Sequence, residues 1–124
     1  MNFTLESHSD SSIAILDPTE VVSSAHDLAE LLMNGRFYGF EKVILFESNL
    51  TPDFFELKTG LAGEMLQQFS TYGGYLAIIG EFDHLESKSL NDFIRESNRV
   101  GRINFVSSKE EAIEKLNRWD HSFL

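Results

Sequence analysis

Short apolar runs and amphipathic segments alternate along the chain. Two runs, at 43–46 and 76–79, are apolar without alternation, which is typical of strands covered on both faces. Runs at 13–16 and 103–106 also predict strands. Segments with apolar residues three or four positions apart lie between or after these runs. Such spacing predicts amphipathic helices that pack on a sheet.

The N-terminal part of the chain predicts a β-hairpin. Residues 2–7 alternate in part, and a polar turn at 8–12 separates them from the run at 13–16. Asp17 and Pro18 then end the second strand, because proline has no N–H to donate to a neighbouring strand.

Capping residues and glycines mark the ends of four helices. A serine followed three residues later by an acid is typical of a helix start, and glycine is typical of a helix end. In the second helix, threonine, proline and aspartate at 51–53 supply the cap, the first position and an acid in the first turn. The predicted helices run from Ser24 to Gly35, from Thr51 to Gly73, from Ser89 to Gly101, and from Ser107 or Ser108 onwards.

This order of elements predicts a single α/β domain over residues 1–124. A hairpin followed by alternating helices and strands, ββαβαβαβα, favours crossover connections and a mixed, mostly parallel sheet. A chain of 124 residues is long enough for one such domain and short for two.

Composition narrows the classes of function. The net charge of −10 disfavours nucleic acids and anionic membranes as partners, because both repel an acidic surface. No stretch approaches the roughly 20 apolar residues that span a bilayer, and no signal-peptide pattern begins the chain, so we expect a cytoplasmic protein. Since the chain has no cysteine and no paired histidine spacing, we expect neither a metal nor a cofactor. The histidines are His8, His26, His84 and His121.

Polar residues follow the predicted strands, where ligands of parallel sheets bind. Glu47 and Glu81 each come directly or almost directly after an apolar run, so they are expected near one another at neighbouring strand ends. Paired carboxylates would suit a small-molecule-binding protein or a hydrolase, whereas acids near helix N-termini also complement the helix dipole. The candidate rim residues are Glu47, Asn49, Glu81, Asp83, Ser87 and Lys88.

Catalytic motifs are absent from the sequence. The tripeptide Lys58-Thr59-Gly60 matches a motif of serine penicillin-recognising enzymes, but no serine lies three residues before a lysine, as the nucleophile of such enzymes must. No nucleophile elbow, phosphate-binding loop or dinucleotide fingerprint occurs either. The sequence therefore favours binding over catalysis.

Two glycines interrupt the second predicted helix. Gly60 and Gly63, with Ala62 between them, make one turn unusually small at a cost of roughly 0.5–1 kcal/mol per glycine in a helix interior. In one account, the missing side chains let the backbone approach a strand or a second protein chain. In the other, the helix begins near Thr59, and its first N–H groups favour an anion.

Three segments resemble a family of small bacterial proteins, domain of unknown function 4180. The segments are DFFELKTGLAGEMLQQF at 53–69, AIIGEF at 77–82 and SKSLNDFIRESN at 87–98. The family pattern prefers aspartate at the positions of Glu56 and Glu81. Because the family has no established activity, the resemblance implies no catalytic residue.

A second resemblance concerns the segment KTGLAGEML, at 58–66. It is similar to the region of STAS (anti-sigma-factor antagonist) domains where a strand is followed by a helix that starts Asp-Ser-Ser-Gly-Leu-Gly. The resemblance places Thr59 at the phosphorylatable serine and Gly60 at the glycine after it. Lys58 departs from the small polar residue of those domains, and the loop at 47–55 is longer than theirs.

Together these observations predict a bacterial, cytoplasmic regulatory or protein-interaction module with a STAS-like α/β fold. The predicted partner-binding and phosphorylation site comprises Lys58, Thr59, Gly60 and Gly63. A phosphate on Thr59 would bring about −1.5 to −2 charges to a helix N-terminus, which is a workable switch for binding. A homodimer with the glycine turn in its interface is a further hypothesis.

Overall fold

The computed structural model describes residues 1–8 and 11–119, and within them it shows an α/β domain. Five strands form one sheet, and four α-helices pack on it. The strands are β1 (Phe3–His8), β2 (Ser11–Leu16), β3 (Lys42–Phe46), β4 (Tyr75–Ile79) and β5 (Ile103–Val106). The helices are α1 (Ala25–Tyr38), α2 (Leu61–Thr71), α3 (Lys88–Val100) and α4 (Lys109–Leu116).

The strands lie in the sheet in the order of the sequence. β1 pairs with β2 in the antiparallel sense, and β2 to β5 are parallel to their neighbours. The predicted element order and the mostly parallel sheet are therefore confirmed. Successive crossovers in one direction place their helices on one face of a sheet. α1, α2 and α3 accordingly share a face, and α4 packs on the other.

Each face of the sheet has its own hydrophobic core. The larger core joins Val43 and Leu45 of β3 to side chains of the three crossover helices, including Leu28, Met65 and Leu90. In the smaller core, α4 covers alternate strand residues such as Ile44. Because adjacent strand residues point to opposite faces, β3 is apolar at consecutive positions.

Helix α1 begins where the sequence predicts and ends later. The Ser24 hydroxyl accepts a hydrogen bond from Asp27 N–H at 3.3 Å, as an N-cap does. The predicted end at Gly35 is wrong, because the helix continues to Tyr38. Gly39 takes the left-handed conformation that ends it, with φ +78°.

The segment between β3 and α2 is not a continuous helix. Three short 3₁₀ turns at Glu47–Asn49, Pro52–Phe55 and Leu57–Thr59 precede α2, so the predicted helix start at Thr51 is wrong. The alternative account, a helix beginning near Thr59, is confirmed.

Two further predicted boundaries shift. Ser87, rather than Ser89, caps α3 by accepting from Leu90 N–H at 3.2 Å. The predicted turn at 8–12 is wrong at three of its residues, because His8 lies in β1 and Ser11 and Ser12 lie in β2. The glycine end at Gly101 and a start at Ser108, whose hydroxyl accepts from Glu111 N–H at 3.1 Å, are confirmed.

Candidate functional site

Glu47 and Glu81 lie at neighbouring strand ends, where the Glu47 side chain contacts the Glu81 backbone. The Glu47 carboxylate lies over the backbone that follows β4, where it accepts from Glu81 N–H at 3.4 Å. Gly80 makes this approach possible, since a Cβ there would come within 2.8 Å of Glu47 Oε2. The Glu81 side chain itself is exposed.

Asn49 is buried rather than presented at the rim. Its Oδ1 accepts from Phe46 N–H at 2.8 Å, and its Nδ2 donates to the carbonyls of Asp17 at 2.9 Å and Glu20 at 2.8 Å. These bonds satisfy a fully buried amide and join the end of β3 to the loop after β2. The predicted rim role of Asn49 is corrected to a structural one.

The three remaining rim candidates do not converge on a common point. Asp83 lies in the exposed loop after β4. Ser87 is the N-cap of α3. The Lys88 ammonium forms an ion pair with Asp92 at 2.9 Å, one turn further along the helix. Ser87 thus stabilises the start of α3, and Lys88 is engaged in an exposed ion pair within the same helix.

An aromatic cluster fills the space beyond the ends of β4 and β5. Phe55 and Phe82 lie 6.3 Å apart between ring centroids, and Phe82 meets Phe105 edge-to-face at 5.1 Å. Phe54, only 2% exposed, packs against Phe55 at 5.1 Å. The turn at Pro52–Phe55 therefore covers the strand ends. This cover was not among the sequence-based predictions, although the pair Phe54-Phe55 shortly after Pro52 indicates it.

Because the strands follow the order of the sequence, the sheet lacks the reversal of strand order at which a ligand crevice usually forms. Ligand crevices of open α/β sheets form where the strand order reverses and adjacent loops diverge to opposite faces. Here β2 to β5 follow one another without reversal. A shallow groove of about 630 Å³ remains beside β5, lined on its polar side by Glu81, Asp83 and Glu111. The Glu111 carboxylate accepts from Ser107 N–H at 2.9 Å.

Thr59 lies on the surface immediately before α2. Its hydroxyl is 2.8 Å from the carbonyl oxygens of both Asp53 and Glu56, so its single proton serves one of them at a time. The same oxygen accepts from Leu61 N–H at 3.3 Å. Through these hydrogen bonds, Thr59 links the turn at Pro52–Phe55 to the first residue of α2.

Gly60 and Gly63 face open space. A Cβ on either glycine would meet no atom within 4 Å. Close packing within the chain therefore does not explain them. Gly60 has a positive φ of +79°, which glycine adopts without strain, whereas Gly63 has no such requirement. The N–H groups of Ala62 and Gly63 lie in the first turn of α2, where a helix offers no acceptor.

The histidines do not cluster into a metal site in the part of the chain that the structure describes. His8 Nε2 lies 2.9 Å from Glu6 Oε1, and His26 Nε2 lies 3.0 Å from Glu30 Oε1. His121 lies outside the described residues. The homodimer with the glycine turn in its interface stays a hypothesis.

Residues 8–116 match the model of a protein family, domain of unknown function 4180 (DUF4180). The chain is also similar to the crystal structure of a candidate anti-sigma factor antagonist from Thermotoga maritima. That match has 18% sequence identity and a TM-score of 0.49, and it covers 94% of this chain and 95% of that chain. No curated protein matches the chain. No helix among residues 1–8 and 11–119 is long and apolar enough to cross a membrane.

Proposed function

We propose that this chain, which belongs to the DUF4180 family, is a non-catalytic regulatory module that binds a partner protein. The proposed docking surface, here called the α2 entry surface, comprises Lys58, Thr59, Gly60 and Gly63. Each of these residues is exposed. We further propose that the module acts in the bacterial cytoplasm.

The observation that carries this proposal is the open space around Gly63. A glycine inside a helix costs about 0.5–1 kcal/mol relative to alanine, and an added Cβ at Gly63 would meet no atom of the described residues within 4 Å, so no close approach within the chain requires glycine here. A partner that packs closely on the helix would require this small residue. Since Gly60 adds a second position without a side chain, the backbone of the first turn is accessible to a docking chain.

Thr59 provides the regulatory element of the proposal. Phosphorylation would replace its hydroxyl proton, and the hydrogen bond to Asp53 or Glu56 would be lost. The phosphate would lie beside the free N–H groups of the first turn of α2 and near the exposed Lys58, which favour a negative charge. Modification would therefore loosen the turn before the helix and change the charge of the α2 entry surface at once.

Partner capture from a native extract tests the docking surface. Immobilised wild-type protein should retain a specific partner that Gly63→Leu loses. Ser70→Leu is the matched control, because it adds a similar side chain at an exposed position near the other end of α2. Equal retention by Gly63→Leu and wild type would contradict the proposal.

The switch is tested separately with Thr59→Glu and Thr59→Gln. Both variants remove the hydroxyl and have similar size, but only Thr59→Glu adds a negative charge. A charge switch predicts that Thr59→Glu changes partner retention at least several-fold relative to Thr59→Gln. Identical behaviour of the two variants would exclude a charge switch. The docking surface would still be tested separately, by the comparison of Gly63→Leu with wild type.

A further inference from the structure

The two edges of the sheet differ in how their backbone groups are protected. At the β5 edge, the side-chain amide of Asn98 from α3 bonds both peptide groups of Phe105. Phe105 N–H donates to Asn98 Oδ1 at 2.7 Å, and Asn98 Nδ2 donates to the Phe105 carbonyl at 3.3 Å. These are the groups that an added strand would use, so Asn98 closes this edge.

The β1 edge has no comparable cover within the described residues. Asp17 N–H donates to the carbonyl of Asn2, and the register pairs Thr4 with Ile15. In an antiparallel ladder, hydrogen-bonded pairs alternate with non-bonded pairs. Even-numbered residues of β1 therefore bond β2. The peptide groups of Phe3, Leu5 and Ser7 point away from the sheet, where the described part of the chain offers them no hydrogen-bond partner.

We propose that β1 of one copy pairs with β1 of a second copy, antiparallel and about a two-fold axis at Leu5. In this register Leu5 faces Leu5 of the other copy, and Phe3 faces Ser7. All three outward residues of each strand then exchange hydrogen bonds, roughly six in total. The two sheets would join into one continuous sheet across the axis.

Repulsion between glutamates favours this register over one of the two neighbouring registers. A shift by two residues in one direction would place Glu6 directly opposite Glu6 of the second copy, and like charges in that position are destabilising. In the proposed register Glu6 faces Thr4. The charge of Glu6 is also balanced within its own chain by Lys109 Nζ at 2.8 Å, and His8 Nε2 lies within hydrogen-bonding distance of the same carboxylate at 2.9 Å.

Apolar side chains flank the edge on the face of α1. Leu5 is 40% exposed and would be covered by its counterpart across the axis. Phe3 lies beside it and meets Tyr38 edge-to-face at 5.6 Å between ring centroids. One strand and its flanks form a small interface, which is typical of weak association. We therefore expect a monomer–dimer equilibrium, formed through a surface distinct from the α2 entry surface.

Sedimentation equilibrium over a wide concentration range tests this association with two charge variants. Leu5→Lys places two ammonium groups against each other at the axis and should shift the dissociation constant at least tenfold towards monomer. Thr4→Lys adds the same charge one residue away, but opposite Glu6 of the second copy, and should leave the dimer intact or tighten it. Circular dichroism checks that both variants keep the fold. A wild-type protein that remains monomeric at the highest concentration overturns the proposal.

Cysteine cross-linking tests the register directly, because the natural chain has no cysteine. Hydrogen-bonded antiparallel residues lie about 5.5 Å apart between Cα atoms, which a disulfide can bridge. Leu5→Cys should therefore oxidise to a covalent dimer. Thr4→Cys and Ser7→Cys, which the axis places further from their own counterparts, should not. Equal cross-linking of all three variants, or a partner strand of another protein as the sole binder of this edge, would refute pairing between copies.

Discussion

The backbone carbonyl of Phe40 lies against the Cα of Gly35, so closely that a methyl group on Gly35 would overlap it. The Gly35 carbonyl in turn accepts from Gly39 N–H at 2.7 Å and Phe40 N–H at 3.0 Å. Gly35 thus allows the chain to fold back tightly as it leaves α1 for β3. It contrasts with Gly63, which also lies within a helix but where an added Cβ would meet no atom within 4 Å.

This contrast predicts opposite effects of the same substitution. Gly35→Ala should lower the free energy of unfolding by about 1–3 kcal/mol, because overpacking against backbone cannot be relieved by a rotamer change. Gly63→Ala should raise it by about 0.5–1 kcal/mol, since alanine has the better helix propensity and its methyl group has room. Urea denaturation measures both values. A loss of stability in Gly63→Ala would show that the site is more constrained than the structure indicates.

Asn49 provides the second prediction. Asn49→Ala leaves the Phe46 N–H and the carbonyls of Asp17 and Glu20 without their partner in a buried location. We expect a loss of about 3 kcal/mol, since each buried unsatisfied group costs about 1–3 kcal/mol and water offsets part of the total. Thermal or urea unfolding checks this value. Ser48→Ala, at the exposed neighbouring residue, should change stability by less than about 0.5 kcal/mol.

The order of elements was predictable because each element has a strong local signal. Apolar runs of strand length alternate with helical periodicity, and serine caps and glycine ends mark most boundaries. The errors lie where two local signals compete. Ser87 and Ser89 are both suitable caps, and the acid at Asp92 favoured the later one, but the hydroxyl of Ser87 already satisfies Leu90 N–H.

The candidate site was predictable in position and not in detail. Sequence locates strand ends, but it does not show which backbone groups a side chain meets across the fold. Asn49 bonds residues 29 and 32 positions away, and Glu47 bonds a backbone group 34 positions away. These long-range contacts turn two rim candidates into structural residues. Thr59 and Gly60 are exposed because they lie at the junction between the last 3₁₀ turn and α2. The sequence indicated this boundary, since a helix that begins near Thr59 was one of its two interpretations.

Glu6 gives a prediction on pH dependence. The hydrogen bond from Lys109, and then that from His8, hold the pKa of the Glu6 carboxyl below its ordinary value of 4.5. A carboxyl with a lowered folded-state pKa stabilises the fold above its unfolded-state pKa, and this contribution disappears as the pH falls through the folded-state value.

Glu6→Gln should therefore be less stable than wild type at neutral pH, and the difference should diminish as the pH falls below 4.5. Urea denaturation across the acid range at low protein concentration measures this. Glu114→Gln, at an exposed glutamate of α4, is the control and should show a smaller dependence. A constant difference between Glu6→Gln and wild type at every pH would mean that the ion pair does not contribute in this way.

The last prediction links the aromatic cluster to the α2 entry surface. Phe55 anchors the turn before Thr59 through its ring contacts with Phe54 and Phe82. Phe55→Ala removes these contacts, so the segment that contains Lys58 should open more often. Local opening exposes a backbone to proteases. Trypsin should then cleave after Lys58 several-fold faster than in wild type, which mass spectrometry of the fragments measures. Phe37→Ala makes the same chemical change at a side chain that is 89% exposed, and it should leave this rate unchanged. Equal acceleration in both variants would indicate global unfolding instead of local release of the turn.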